Sequence, residues 1–108
     1  MAWILLILAG VLEVVWAYYM KQSEGFSKLV PSAVTIATMI ASFAMLSYAM
    51  RSIPLGTAYT IWTGIGAVGA FVVGVVVLGE SANASRIFAA LLILAGLVMM
   101  KLSSGGDQ

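Results

Sequence analysis

Hydrophobic and polar positions alternate on a long scale in this chain: four extended apolar runs are separated by three short polar breaks. The runs cover about residues 3–20, 31–50, 56–78 and 85–101. Eighteen residues of helix rise about 27 Å, close to the roughly 30 Å hydrocarbon core of a bilayer. The pattern therefore predicts an all-α integral membrane protein with four transmembrane helices. Residues 21–28 hold opposite charges and a glycine and read as a loop. Pro31 suits the first turn of the second helix, where its missing N–H would be unpaired anyway. The connection at 51–55 is so short that the second and third helices should be antiparallel neighbours. Residues 79–83 form the third break, with Ser81 or Asn83 able to cap the fourth helix. Residues 1–102 are thus expected to form one transmembrane domain, and the polar, glycine-rich segment 103–108 a disordered tail.

Composition narrows the chemistry. Of 108 residues, 63% are hydrophobic and 8% charged, as expected of a membrane protein. The first run lacks a preceding basic segment and a clear cleavage pattern, so it is expected to be a retained span rather than a secretory signal. With neither cysteine nor histidine, disulfides, thiol chemistry and the usual transition-metal ligands are excluded, and no metal, cofactor or enzyme activity is expected. Five basic and four acidic residues give a net charge of +1 without a basic run, so nucleic acid is not an expected partner.

One residue departs from the apolar pattern. Glu13 lies near the middle of the first run and is its only side chain charged at neutral pH. A carboxylate at that depth costs several kcal/mol unless it is protonated, paired or hydrated, so it marks a functional site. Some membrane glutamates merely join helices by hydrogen bonding when neutral. Here, though, Gly10 and Ala17 clear space on the same face and Trp16 brings an indole donor one turn away, which suggests a pocket. In the second run Thr35, Thr38 and Ser42 form a hydroxyl stripe. The two threonines read as helix packing or backbone bonding, whereas Ser42 should lie at the depth of Glu13.

The third run holds Tyr59 and Trp62, followed by Gly64, Gly66 and Gly69. The glycine spacing superficially matches a dinucleotide-binding turn, but it lacks the strand, the βαβ unit and the later acid that such a site needs. Within an apolar span, glycines let helices approach closely, and clustered glycines make Gly64 and Gly66 the expected place for a bend. Trp62 would lie about 9 Å into the span, too deep for an interfacial belt, and is expected in a pocket. The fourth run lacks a buried polar group and offers Ala89, Ala90 and Gly96 as a small-residue seam, the expected dimer contact.

Four spans place both termini on one side. Lys21, Lys28 and Arg86 lie towards the opposite side, against Arg51, Lys101 and the terminal amine. The positive-inside rule then gives almost no preferred direction. A chain that inserts both ways can form an antiparallel homodimer, supplying between subunits the inverted repeat that larger transporters carry internally.

Several stretches together resemble the small multidrug resistance family of bacterial proton-coupled exporters. These are Glu13 in the first span, Pro31-Ser32 after the first loop, Pro54-Leu55-Gly56-Thr57-Ala58-Tyr59 entering the third span, and Tyr59-Thr60-Ile61-Trp62-Thr63-Gly64-Ile65-Gly66-Ala67 within it. Gly10-Val11-Leu12-Glu13-Val14-Val15-Trp16-Ala17 is similar to the family's guanidinium-exporting subtype. The drug-exporting subtype typically has alanine before the glutamate and glycine three residues after it. The resemblance implies a multi-pass protein of the bacterial inner membrane, assembled as an antiparallel dimer in contact with lipid. It implies that Glu13 binds substrate and protons alternately, that Trp16 and Ser42 orient its carboxylate, that Tyr59 and Trp62 line the site with room given by Gly10, and that guanidinium or substituted guanidinium cations are the substrate. A promiscuous exporter of quaternary ammonium and other hydrophobic cations, and a non-transporting regulatory helix bundle, are the alternatives.

Overall fold

A computed structural model describes residues 1–104. Four α-helices follow one another: α1 Ala2–Gln22, α2 Leu29–Ala49, α3 Leu55–Val76 and α4 Ala84–Ser104. Each is long and apolar enough to cross a membrane, and only helices or closed barrels satisfy the backbone there without water.

The helix ends follow local chemistry. α1 runs through Lys21 and Gln22 before Ser23 closes it: the Ser23 hydroxyl donates to the Met20 carbonyl at 2.6 Å and accepts from the Phe26 N–H at 3.0 Å. That pair of bonds holds a tight turn in which Glu24, Gly25 and Phe26 all have positive φ. Pro31 falls in the first turn of α2, as its chemistry requires. Asn83 caps α4 through its side-chain oxygen, which accepts from the Arg86 N–H at 2.9 Å. Two expected boundaries need correction. α3 ends at Val76 rather than 78, because Gly79 takes φ +72° and turns the chain back. α4 continues through Ser103 and Ser104, where a tail was expected; the rest of that tail, 105–108, lies outside the described residues.

α1 packs between α2 and α3, while α4 packs along α3. The Lys101 ammonium also sits 4.5 Å above the Trp3 ring, tying the end of α4 to the start of α1. The chain spans 45 × 34 × 17 Å. A helix with side chains is about 10–12 Å across, so a plate this thin cannot surround a ligand with two layers of helices. Its core is correspondingly small: Leu6, Ala9, Leu46, Ala49, Ile53, Ala58, Ile61 and Trp62, all at the α1–α2–α3 junction.

Glycines set the close contacts of α3. A Cβ added at Gly64 would meet Leu97 of α4, one at Gly66 would meet Glu13, and one at Gly69 would meet Val14 of α1. In the reverse sense Ile65 of α3 covers Gly10 of α1, 2.8 Å from where a Cβ would stand. Valine is stiff at χ1 and cannot easily swing away from a new methyl group. Gly69→Ala is therefore expected to destabilise the fold by about 1–3 kcal/mol, the usual range for overpacking. Denaturant unfolding in detergent checks this, and unchanged stability would contradict the seating of Val14 on Gly69.

Candidate functional site

α1 carries Glu13 at the seam with α3. The side chain is partly buried and lies against the bare backbone of Gly66. Its Oε1 is buried and has no hydrogen-bond partner among the described residues, and one turn further on the same is true of the Trp16 indole N–H. An acceptor and a donor three residues apart face the same side of a helix. Leaving such groups unsatisfied costs about 1–3 kcal/mol each, more for a charged one, so they are primed for a polar partner.

A second set of side chains builds the wall beside them. The Trp62 indole, 6% exposed, donates to the Ser42 hydroxyl at 2.9 Å, and that hydroxyl donates to the Ala9 carbonyl at 2.8 Å. This chain of bonds joins α3, α2 and α1 at the level of the core. Phe43 then stacks between two indoles: its ring is 5.6 Å from Trp62 and 6.3 Å from Trp16, the latter edge-to-face. Tyr59 extends the cluster, with its ring 5.7 Å from that of Trp62.

The structure links Trp16, Ser42, Trp62 and Tyr59 in one cluster through Phe43, and seats Glu13 on Gly66, one turn before Trp16 on α1. Within one chain Ser42 does not reach the carboxylate, because its hydroxyl is engaged by Trp62 and Ala9. Trp16 does not donate to Glu13 either; its ring packs on Phe43 instead. Gly10 does not open space beside Glu13, since Ile65 fills it. Gly64 and Gly66 lie within an unbroken α3 and act as seats for Leu97 and Glu13. The small residues of α4, Ala89, Ala90 and Gly96, all border grooves against α3 of the same chain, with Ala89 and Gly96 exposed. Thr35 and Thr38 bond back to the carbonyls of Pro31 and Val34 at 2.8 and 2.7 Å, as the packing reading expects.

Phe43 is the residue that the pattern of the sequence did not reveal. The hydroxyl stripe of α2 points to Ser42, and an aromatic one position later falls about 100° around the helix, off that stripe. Only the placement of Trp16 and Trp62 on two other helices shows what it touches.

Four helices long and apolar enough to cross a membrane, the first carrying an acid near its middle, define a polytopic membrane protein. The family model described as Small Multidrug Resistance protein matches residues 1–94, and the chain belongs to that family, as a multi-pass protein of the bacterial inner membrane. A protein of Citrobacter freundii named guanidinium exporter is 57% identical over 104 residues, covering 96% of this chain and 99% of its own length. Proteins of the same name from Yersinia pestis and Escherichia coli K12 are 57% and 55% identical over the same share of this chain, with 100% and 99% of their own lengths covered.

Proposed function

We propose that this chain exports guanidinium-type cations in exchange for protons, with substrate and protons competing for Glu13 in an antiparallel homodimer. One observation carries the reading: a carboxylate oxygen and an indole N–H, both buried and both without a partner among the described residues, lie one turn apart near the middle of α1. The names of the similar proteins supply the substrate class.

Guanidinium is planar and cationic, and its N–H groups match a carboxylate bidentately. Seated on Gly66, the carboxylate can present an edge to such a ligand. The aromatic cluster of Trp16, Phe43, Trp62 and Tyr59 supplies ring faces that attract a cation, with the Trp62 ring fixed by its bond to Ser42. A plate 17 Å thin encloses nothing alone, so a second copy is needed to close the site, and the balanced positive charge suits the inverted orientation. Two glutamates then share one chamber. Two bare carboxylates repel each other, so an empty chamber holds protons, which an arriving cation displaces. If the dimer changes facing only when loaded, proton entry drives cation export.

Selectivity falls to Trp16. A site built around hydrogen bonds and a tight aromatic wall rejects ligands that cannot make those contacts. Trp16→Gly is expected to lower guanidinium transport by about tenfold or more relative to wild type while improving that of bulky aromatic cations. Transport of both cations by the purified variant in proteoliposomes is the test, and an unchanged preference would remove Trp16 from this role. The same assay separates the alternatives, since a promiscuous exporter would move quaternary ammonium in the wild type and a regulatory bundle would move neither cation.

A further inference from the structure

Glu13 is not the only acid seated on α3. Beyond Val76 the positive φ of Gly79 reverses the chain, and the Glu80 N–H donates back to the Gly74 carbonyl at 2.9 Å. This returns the Glu80 side chain onto bare backbone: a Cβ on Gly74 would meet its carboxylate. Gly74 lies about two turns beyond Gly66 and about 80° around α3, and Glu80 borders a space with Val14, Ala17, Tyr18 and Lys21 of α1. The α1–α3 seam therefore holds two carboxylates, one in the membrane and one at its edge.

Between them is a cavity of about 200 Å³ whose lining includes Val14, Ala17, Tyr18, Lys21, Gly74 and Glu80. That is roughly six waters' worth of space, enough for a small planar cation with part of its hydration shell. The cavity begins where the Glu13 seat ends, because Val14 both covers Gly69 and forms the inner wall. Lys21 and Glu80 are its charged groups among the described lining residues, and no ion pair within 4 Å joins them among those residues. Tyr18 contributes an aromatic side chain with a phenol to the lining.

We propose that this cavity is a second, outer binding site, in which Glu80 captures a small planar nitrogen cation at the membrane edge before Glu13 takes it. The inference rests on the reading of Glu13 as a cation site and adds a place for the ligand to wait. Glu80 supplies the bidentate acceptor and Tyr18 the aromatic contact. Lys21 holds the empty site near neutrality and weakens capture enough that the cation can leave inward. Passage from one carboxylate to the other requires Val14 to leave Gly69, which makes that contact the inner gate of the site.

The test is a titration of ¹⁵N-labelled full-length protein in bicelles with low-millimolar guanidinium chloride, against sodium chloride at equal ionic strength. The amides of Gly66 report the inner site and those of Gly74 and Glu80 the outer one. Expected are saturable shifts at both sets in the wild type, at the outer set alone in Glu13→Gln, and at the inner set alone in Glu80→Gln. Lys21→Gln should tighten outer binding about threefold, the effect of removing one exposed like charge. Outer amides that respond no more than to sodium, or that respond equally in Glu80→Gln, would overturn the outer site. An outer response with silence at Gly66 would uphold it and remove the reading of Glu13 instead.

Discussion

Glu13→Gln protein reconstituted in proteoliposomes is expected to take up no labelled guanidinium above the protein-free background when a proton gradient is imposed. The substitution keeps the shape of the side chain and its seat on Gly66, so the helices should assemble as before. What it removes is the charge that pairs with the cation and the group that takes up the proton in its absence. A neutral amide offers one acceptor and no exchangeable site, so binding and coupling disappear together. Folding is checked by an unchanged unfolding midpoint. Retained proton-driven uptake in folded protein would show that another group carries the exchange.

The second large effect is expected from a methyl group. Gly66→Ala places a Cβ where the Glu13 carboxylate now lies. The group in the way is the end of a flexible side chain, not backbone, so the helices need not separate and stability should change by less than about 1 kcal/mol. The carboxylate itself must move by about the width of the new contact, and misplacing a reacting group by about 1 Å can cost on the order of 100-fold. Guanidinium transport is expected to fall by about 10- to 100-fold with little loss of stability. Gly69→Ala should show the opposite pattern, since stiff Val14 stands there and Glu13 does not. Equal stability losses in both variants would mean that α1 and α3 are separated by any added methyl and that Gly66 has no particular link to the carboxylate.

The contrast between these glycines also shows where the sequence is readable. The four spans follow from run length alone, because a bilayer demands about twenty apolar residues per helix and little else. Glu13 announces itself because a charge in such a run is costly. Trp62 is expected in a pocket by its depth, whereas the structure packs it into the hydrophobic core, 6% exposed. The partners of these groups are less legible. Gly64, Gly66 and Gly69 read alike in the sequence, yet they receive Leu97, Glu13 and Val14 from two different helices. Gly10 looks like room for the carboxylate until Ile65 is found filling it. Ser42 is expected at the depth of Glu13, but depth says nothing about rotation, and its one hydroxyl proton is committed to Ala9 while the oxygen accepts from Trp62. Glu80 is the plainest case. As a loop acid after a glycine it carries no signal, and only the positive φ of Gly79 and the bond to Gly74 show that its carboxylate is returned to the helix.

Exchange of a guanidinium cation for protons is most directly tested by the internal pH of proteoliposomes holding purified wild-type protein. Guanidinium added outside should make the interior more alkaline, as protons leave against entering cation, while tetraethylammonium at the same concentration should leave it unchanged. No response to guanidinium from folded protein, or an equal response to both cations, would contradict a narrow proton-coupled guanidinium exporter.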